Sequence, residues 1–225
     1  MGSRFPTQGT VAPRIALIHA LAHSVAPINE ELARRWPEAV RMNLLDDSLS
    51  ADLARSGAGL DDAMHRRFET LSAYAEGTGA QAILFTCSAF GSCIEAAAAR
   101  RPHMPVLKPN EAMVADAVAH GGRVGLIASF GPTLVSMPPE FPPGTELVTQ
   151  LADGALDALN RGDAAGHDVL VVEAARRLAD QGCDVIALAQ FSMARAQMAV
   201  HRAVDLPVLT TPGSAVRMLR QRLGA

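Results

Sequence analysis

Thr86-Cys87-Ser88-Ala89-Phe90-Gly91 joins a strongly apolar run, Ala82 to Phe85, to an alanine-rich stretch of helical character. A strand that passes through a short turn into a helix aims backbone N–H groups and the positive helix end at whatever lies beyond the strand. A thiol in that turn is expected to ionise more readily than a free one, whose pKa is about 8.5. The N–H groups of Ser88 and Ala89 and the hydroxyls of Thr86 and Ser88 suit a carboxylate, and equally the enediolate left when its α-proton departs. Cys87 would then be the group that moves the proton. A cysteine closing a buried strand can also be a small apolar filler, but the polar, small-residue turn around it favours chemistry. Cys93, within the following helix, and Cys183, ahead of a later strand, are read as packing.

Other strand ends carry further candidates. His19 closes the apolar run from Arg14 to Ile18, and Asn29 follows at a helix start. A neutral imidazole there is a natural proton shuttle, although a lone strand-end histidine is often structural. Gln190 and Ser192, after Val185 to Leu188, could hydrogen-bond a second polar group of a ligand. His19 and His23 lack a third ligand and a convincing helix between them, so no metal site is expected.

The elements that must position these groups are short aliphatic runs alternating with longer Ala/Leu/Arg-rich stretches, the pattern of βαβ units and a mainly parallel sheet. Strands are expected at 14–19, 39–44, 81–86, 105–108, 123–128, 145–150, 184–189 and 207–210. Helices are expected near 26–35, 60–77, 90–101, 110–120, 131–136, 165–181, 192–203 and 212–223. The second half also rewrites the first: Arg14-Ile15-Ala16-Leu17-Ile18 returns as Arg123-Val124-Gly125-Leu126-Ile127, displaced by 109 residues (123 less 14). Ala82–Ser88 leads to Pro105-Val106-Leu107 as Val185–Phe191 leads to Pro207-Val208-Leu209, which makes Cys87 and Gln190 equivalent. Pro105 follows Cys87 by 18 residues and Pro207 follows Gln190 by 17, so order and spacing both repeat. All βαβ proteins look somewhat self-similar, but agreement across several elements favours a duplication.

The expected fold is therefore α/β: two pseudo-symmetric, Rossmann-like α/β/α halves with mainly parallel sheets and an active-site cleft between them. Residues 14–107 with 208–225 are assigned to one half and 108–207 to the other, with 1–13 disordered. Ligands of open parallel sheets sit beyond the carboxyl ends of the strands, so strand-end residues of both halves should surround one pocket.

Composition narrows the partners. Hydrophobic residues make up 49% of the 225-residue chain and the formal net charge is -3, with no Lys/Arg block. That balance argues against nucleic acid and anionic membranes and for a small-molecule ligand. Three cysteines without a CxxC pair suit a reducing compartment, and no apolar run has the length of a signal peptide or a bilayer span, so a cytoplasmic location is expected. First-strand loops without GxGxxG or P-loop spacing make a nucleotide enzyme the poorer fit.

The Thr-Cys-Ser turn after Ala82–Phe85, the Gly182-Cys183-Asp184-Val185-Ile186 entry to the equivalent later strand and the duplicated halves together resemble the aspartate/glutamate/hydantoin racemase superfamily, which also includes maleate isomerase and arylmalonate decarboxylase. The resemblance runs from about Arg14 onward. It implies proton transfer at the carbon α to a carboxylate of a small acid or amino acid, without metal or cofactor, by two cysteines on opposite faces of the substrate. A homodimer is the assembly it implies. Cys87 matches the first cysteine, and Ser129, in Ala128-Ser129-Phe130-Gly131-Pro132-Thr133, resembles the carboxylate-holding loop. The second cysteine falls at Gln190, which cannot exchange a proton at neutral pH. The open readings are an isomerase or racemase completed by another group such as His19, a decarboxylase with a single thiol donor, a cis-trans isomerase with Cys87 as nucleophile, and a non-catalytic protein that binds a small acid.

Overall fold

A computed structural model describes residues 12–56 and 59–225. The disorder expected at the start of the chain concerns residues of which 1–11 lie outside the described set. The first half runs β1 (Arg14–His19), α1 (Val25–Arg35), β2 (Val40–Leu45), α2 (Ser48–Ser56), α3 (Asp62–Gly77), β3 (Ala82–Phe85), α4 (Gly91–Ala99), β4 (Val106–Leu107) and α5 (Glu111–His120). The second runs β5 (Val124–Ala128), α6 (Thr133–Ser136), β6 (Leu147–Leu151), α7 (Ala155–Asn160), α8 (Ala164–Asp180), β7 (Val185–Leu188), α9 (Gln197–Val204), β8 (Val208–Thr210) and α10 (Thr211–Leu223).

Two all-parallel sheets form, ordered β2-β1-β3-β4 and β6-β5-β7-β8, so the same topology is built twice. The central strands β3, β5 and β7 are buried throughout, as expected for parallel strands covered by helices on both faces. The repeat extends to helix ends. Asp61 accepts the Met64 N–H at 2.8 Å to start α3, and Asp163 accepts the Gly166 N–H at 2.8 Å to start α8. Both helices are stopped by a glycine with positive φ, Gly79 at 80° and Gly182 at 77°, a conformation glycine adopts without a Cβ clash.

Each sheet separates two layers of apolar side chains. Beneath one face of the first sheet, Ile83 and Phe85 meet Phe68 of α3 and Ile94 of α4; under the other, Leu17 and Leu84 meet Leu32 of α1 and Val216 and Leu219 of α10. In the second half Ile186 and Leu188 meet Val171 and Leu178 of α8, while Leu126 and Ala187 meet Met113 and Ala117 of α5. Full burial of one such leucine is worth about 1.5–3 kcal/mol, so these layers dominate what holds each half together. The chain thus crosses between sheets at both β4–α5 and β8–α10, and each sheet is covered by the helix that leaves the other. Ion pairs join the two crossing helices, Arg217 to Asp116 and Arg222 to Glu111.

The eight expected strands all form, and α2 and α7 are additional helices. One placement is corrected: β8, grouped by sequence with the first half, hydrogen-bonds to β7 in the second sheet, and only α10 returns to the first. The Pro207-Val208-Leu209 repeat of Pro105-Val106-Leu107 already carries the reason, since β4 pairs with β3 in the same manner. No helix among the described residues is long and apolar enough to cross a membrane.

Candidate active site at the strand ends

Cys87 lies two residues past the end of β3, after Thr86, and precedes a three-residue 3-10 turn, Ser88–Phe90, before α4 begins at Gly91. Phe68 stacks on Phe85 at 5.2 Å between ring centroids and on Phe90 at 4.9 Å, so the residues before and after the turn are braced by one ring of α3. Such aromatic pairs add about 0.5–1.5 kcal/mol each beyond their burial, which holds the turn in place. The Ala89 N–H and the Ser50 hydroxyl lie near enough to the Cys87 sulfur to favour its anion, the Ser50 hydroxyl itself donating to the Ala20 carbonyl at 3.4 Å, and part of the cysteine's surface stays open.

The expected easier ionisation of Cys87 is corrected here. Burial pushes its pKa above the ordinary thiol value, and the Ala89 N–H and the Ser50 hydroxyl only partly offset this. The helix that follows is separated from the sulfur by the 3-10 turn, so its dipole does not compensate for lost hydration. Cys87 rests as a neutral thiol at pH 7. Cys93 and Cys183 are buried in the two cores, and burial raises both thiols as well.

His19 lies completely buried at the end of β1. Its Nε2 is 3.0 Å from Asn43 Oδ1 and its Nδ1 2.9 Å from the Thr86 hydroxyl. Because an amide oxygen only accepts, Nε2 carries the proton and the Thr86 hydroxyl donates to Nδ1. Burial lowers the imidazole pKa, against a smaller opposing effect of Asn43, so the ring stays neutral. Both nitrogens are occupied, which leaves none free for a ligand. Asn29 belongs to the same network: its Nδ2 donates to Asn43 Oδ1 at 2.7 Å and to the Val25 carbonyl at 2.7 Å, while Asn43 Nδ2 donates to Asn29 Oδ1 at 3.1 Å. The network fixes Thr86, the residue before the thiol.

The second half answers with different chemistry. Gln190 Oε1 accepts from the Ser129 N–H at 2.7 Å and from its hydroxyl at 3.0 Å, so the two predicted residues meet each other. Among the described residues none accepts from the Gln190 amide N–H groups, which remain available as neutral donors. Where the first half buries the His19–Thr86 pair, the second has Ala128 and Ala189, both buried and unable to hydrogen-bond through their side chains. Ser88 and Ser192 are half-buried on the turns after β3 and β7, and Ala89 is exposed. Ser50 and Asn43 escaped the sequence reading; a serine five residues past a strand of alternating exposure carries no signal of the thiol it lies near.

The strand-end loops of the two halves approach one another in a crossed manner. The 3-10 turn after β1, Ala22–Ser24, contacts the one after β7, Phe191–Ala196, and Phe191 is buried among α1 and α10 residues of the first half. On the other flank Asn110 Nδ2 reaches Glu140 Oε1 at 3.5 Å, and burial raises the Glu140 carboxyl above its usual range. Lys108 donates to Glu95 Oε1 at 2.8 Å. A separate cavity of about 640 Å3 lies along the α1–α9 seam and includes none of the candidate residues. Its arginines are paired, Arg34 and Arg35 with Glu31 and Arg195 with Asp168, so the chemistry of the strand ends outweighs its size. Among the described residues no group of three or more His, Cys, Asp and Glu side chains could hold a metal ion.

Comparison with solved structures agrees with this architecture. An aspartate racemase homologue from Pyrococcus horikoshii OT3 superposes with a TM-score of 0.71 at 13% identity, covering 94% of this chain and 99% of that one. A glutamate racemase from Thermus thermophilus gives 0.69 at 20% identity, with 95% and 81% covered, and allantoin racemase from Klebsiella pneumoniae gives 0.68 at 18% identity, with 95% and 88% covered. No curated protein sequence matches the chain. The family model described as Asp/Glu/Hydantoin racemase matches residues 22–219. With the duplicated sheets and the strand-end thiol in place, that match over most of the sequence means that the chain belongs to the Asp/Glu/Hydantoin racemase family.

Proposed function

We propose that the chain is an isomerase-type enzyme that transfers a proton at the carbon α to a carboxylate of a small acid, with Cys87 as the acid/base group and no cofactor in the reaction. The observation that carries the reading is the partly open Cys87 sulfur in the turn after β3, near the Ala89 N–H and the Ser50 hydroxyl, which favour its anion. As a thiolate, favoured by Ala89 and Ser50, it takes the α-proton and leaves a planar intermediate; as the resulting thiol it gives a proton back to that carbon. Ser88, Ser192 and the Gln190 amide hold the carboxylate, and Ser129 acts through Gln190 by fixing its orientation. His19, Asn29 and Asn43 are positioning residues that keep Thr86, and so Cys87, in register.

A second reading, one-sided protonation after loss of carbon dioxide, is favoured by a specific pairing: a thiol that rests protonated stands in one half, and an amide without proton-transfer capacity occupies the equivalent position in the other. Incubation with a panel of small acids in deuterated water, followed by proton NMR, tests both. Deuterium at the α-carbon, lost in Cys87→Ala, supports proton transfer. Carbon dioxide release with incorporation at a single face supports the second reading. Binding without exchange, isomerisation or decarboxylation across the panel would leave a small-acid binding protein.

A further inference from the structure

The loops leaving the central strands β1, β3, β5 and β7, residues 20–24, 86–90, 129–132 and 189–196, hold two ionisable side chains besides Cys87, namely His23 and Arg195. Nearby cations are committed elsewhere: Arg195 donates to Asp168 at 2.9 Å and Lys108 to Glu95 at 2.8 Å. What these loops expose instead is apolar. Leu21 is 48% and Phe130 50% exposed, among the few large hydrophobic side chains left open to solvent. The two occupy equivalent positions in the repeat, each two residues beyond the end of its central strand, His19 or Ala128. Parallel pairing of Ile18 with Phe85 and of Ile127 with Leu188 sets them beside the turns that carry Cys87 and Gln190.

An amino-acid substrate brings an ammonium group, and aspartate or glutamate a second carboxylate; once water is displaced the first needs an anion or a dense set of acceptors and the second a cation or a dense set of donors. These four loops offer neutral hydroxyls, one amide and two apolar side chains. We propose that Leu21 and Phe130 are specificity-determining residues, and that the substrate is a carboxylic acid whose α-carbon bears an apolar alkyl or aryl substituent and no ammonium group. The inference rests on the assignment of Cys87 as the proton-transfer group. Duplication supplies the geometry: an apolar wall on either side of the reacting carbon, with the carboxylate toward Ser88 and Gln190.

The test uses the full chain in deuterated water and follows α-deuterium incorporation by NMR into 2-phenylpropionate and 2-methylbutyrate, against aspartate and glutamate at the same concentration. Incorporation into the first pair should exceed that into the second by at least roughly tenfold in kcat/KM, the discrimination expected of an apolar pocket. Phe130→Ala and Leu21→Ala should each raise KM for 2-phenylpropionate about five- to tenfold while kcat stays near the wild-type value. Cys87-dependent exchange on aspartate or glutamate but not on the apolar acids overturns the substrate assignment and leaves the role of Cys87 standing. Exchange on none of the four overturns the role of Cys87 and the substrate assignment together. Variants that change only the monomer–dimer balance in gel filtration, with unaltered KM, make Leu21 and Phe130 a contact between copies and likewise refute the proposal.

Discussion

Replacing His19 with leucine separates a positioning role from a catalytic one. The substitution keeps a side chain of similar bulk at a completely buried position and removes two hydrogen bonds, of 2.9 and 3.0 Å. Neither partner is stranded: the Thr86 hydroxyl, freed from the imidazole, can turn to the Ile18 carbonyl at 3.4 Å, and Asn43 Oδ1 retains the Asn29 amide at 2.7 Å. Two neutral hydrogen bonds at about 0.5–1.5 kcal/mol each set the expected loss near 1–3 kcal/mol at pH 8. For a chain of this size each kcal/mol lowers Tm by about 2–4 °C. The pH dependence has a definite sign. Burial holds the folded imidazole below its ordinary value of 6.5, so below that pH the unfolded chain takes up a proton that the folded chain refuses. Wild-type stability due to this group is therefore complete above about pH 6.5 and declines as the pH falls, whereas the leucine variant has no such decline. Urea unfolding at a series of pH values should show the two proteins furthest apart near pH 8 and converging toward acid. Equal stability at pH 8, or a gap that widens on acidification, would refute the hydrogen-bond network as drawn.

The thiols offer a second check: iodoacetamide should modify Cys87 before the buried Cys93 and Cys183, slowly at neutral pH and faster as the pH rises above the ordinary thiol range, because burial raises its pKa. Mass spectrometry showing equal labelling of all three would contradict the open position of Cys87. Gln190→Cys places a second thiol opposite the first and should convert incorporation at one face into racemisation; a folded variant with an unchanged enantiomer ratio on chiral chromatography would break the equivalence of the two positions. Gly125→Ala would bring a Cβ within 2.9 Å of Leu178 Cδ1 and 3.2 Å of Cys183 Sγ, between sheet and helix. Thermal unfolding should register about 1–3 kcal/mol of destabilisation, and an unaltered Tm would mean that this layer yields more freely than its packing suggests.

Much of the architecture was legible because parallel strands covered on both faces must be apolar along their length. Runs such as Arg14–Ile18 and Val185–Leu188 meet that demand twice over, and their order reappears in the two sheets. Helices α2 and α7 were not legible: each is short, and α2 follows an Asp46-Asp47 pair that reads as a solvated turn. In the folded chain Arg67 donates to Asp46 at 2.6 Å and to Asp52 at 2.6 Å, which ties α2 to α3. That tie holds Ser50 where its hydroxyl donates to the Ala20 carbonyl and favours the Cys87 anion, a placement that depends on tertiary structure alone. The sign of the Cys87 shift was missed for a related reason. A turn before a helix suggests a dipole from sequence, whereas the desolvation that outweighs it arises from Phe85, Phe90 and neighbours that assemble only in the folded core. His19 and Ser129 were found as polar strand-end residues, but their partners, Asn43 and Gln190, lie 24 and 61 residues away and decide what each can do.

The reciprocal crossing of α5 and α10 bears on how unlike groups came to occupy equivalent positions in the two halves. A polypeptide carrying one repeat would send its last helix away from its own sheet, leaving a bare apolar face that only an identical copy could cover. In such a pair symmetry would force the same side chain onto both walls, two sulfurs or two amides. Tethering the copies in one chain lifts that constraint, so one wall can change while its counterpart keeps the thiol, and a symmetric pair becomes a directional one.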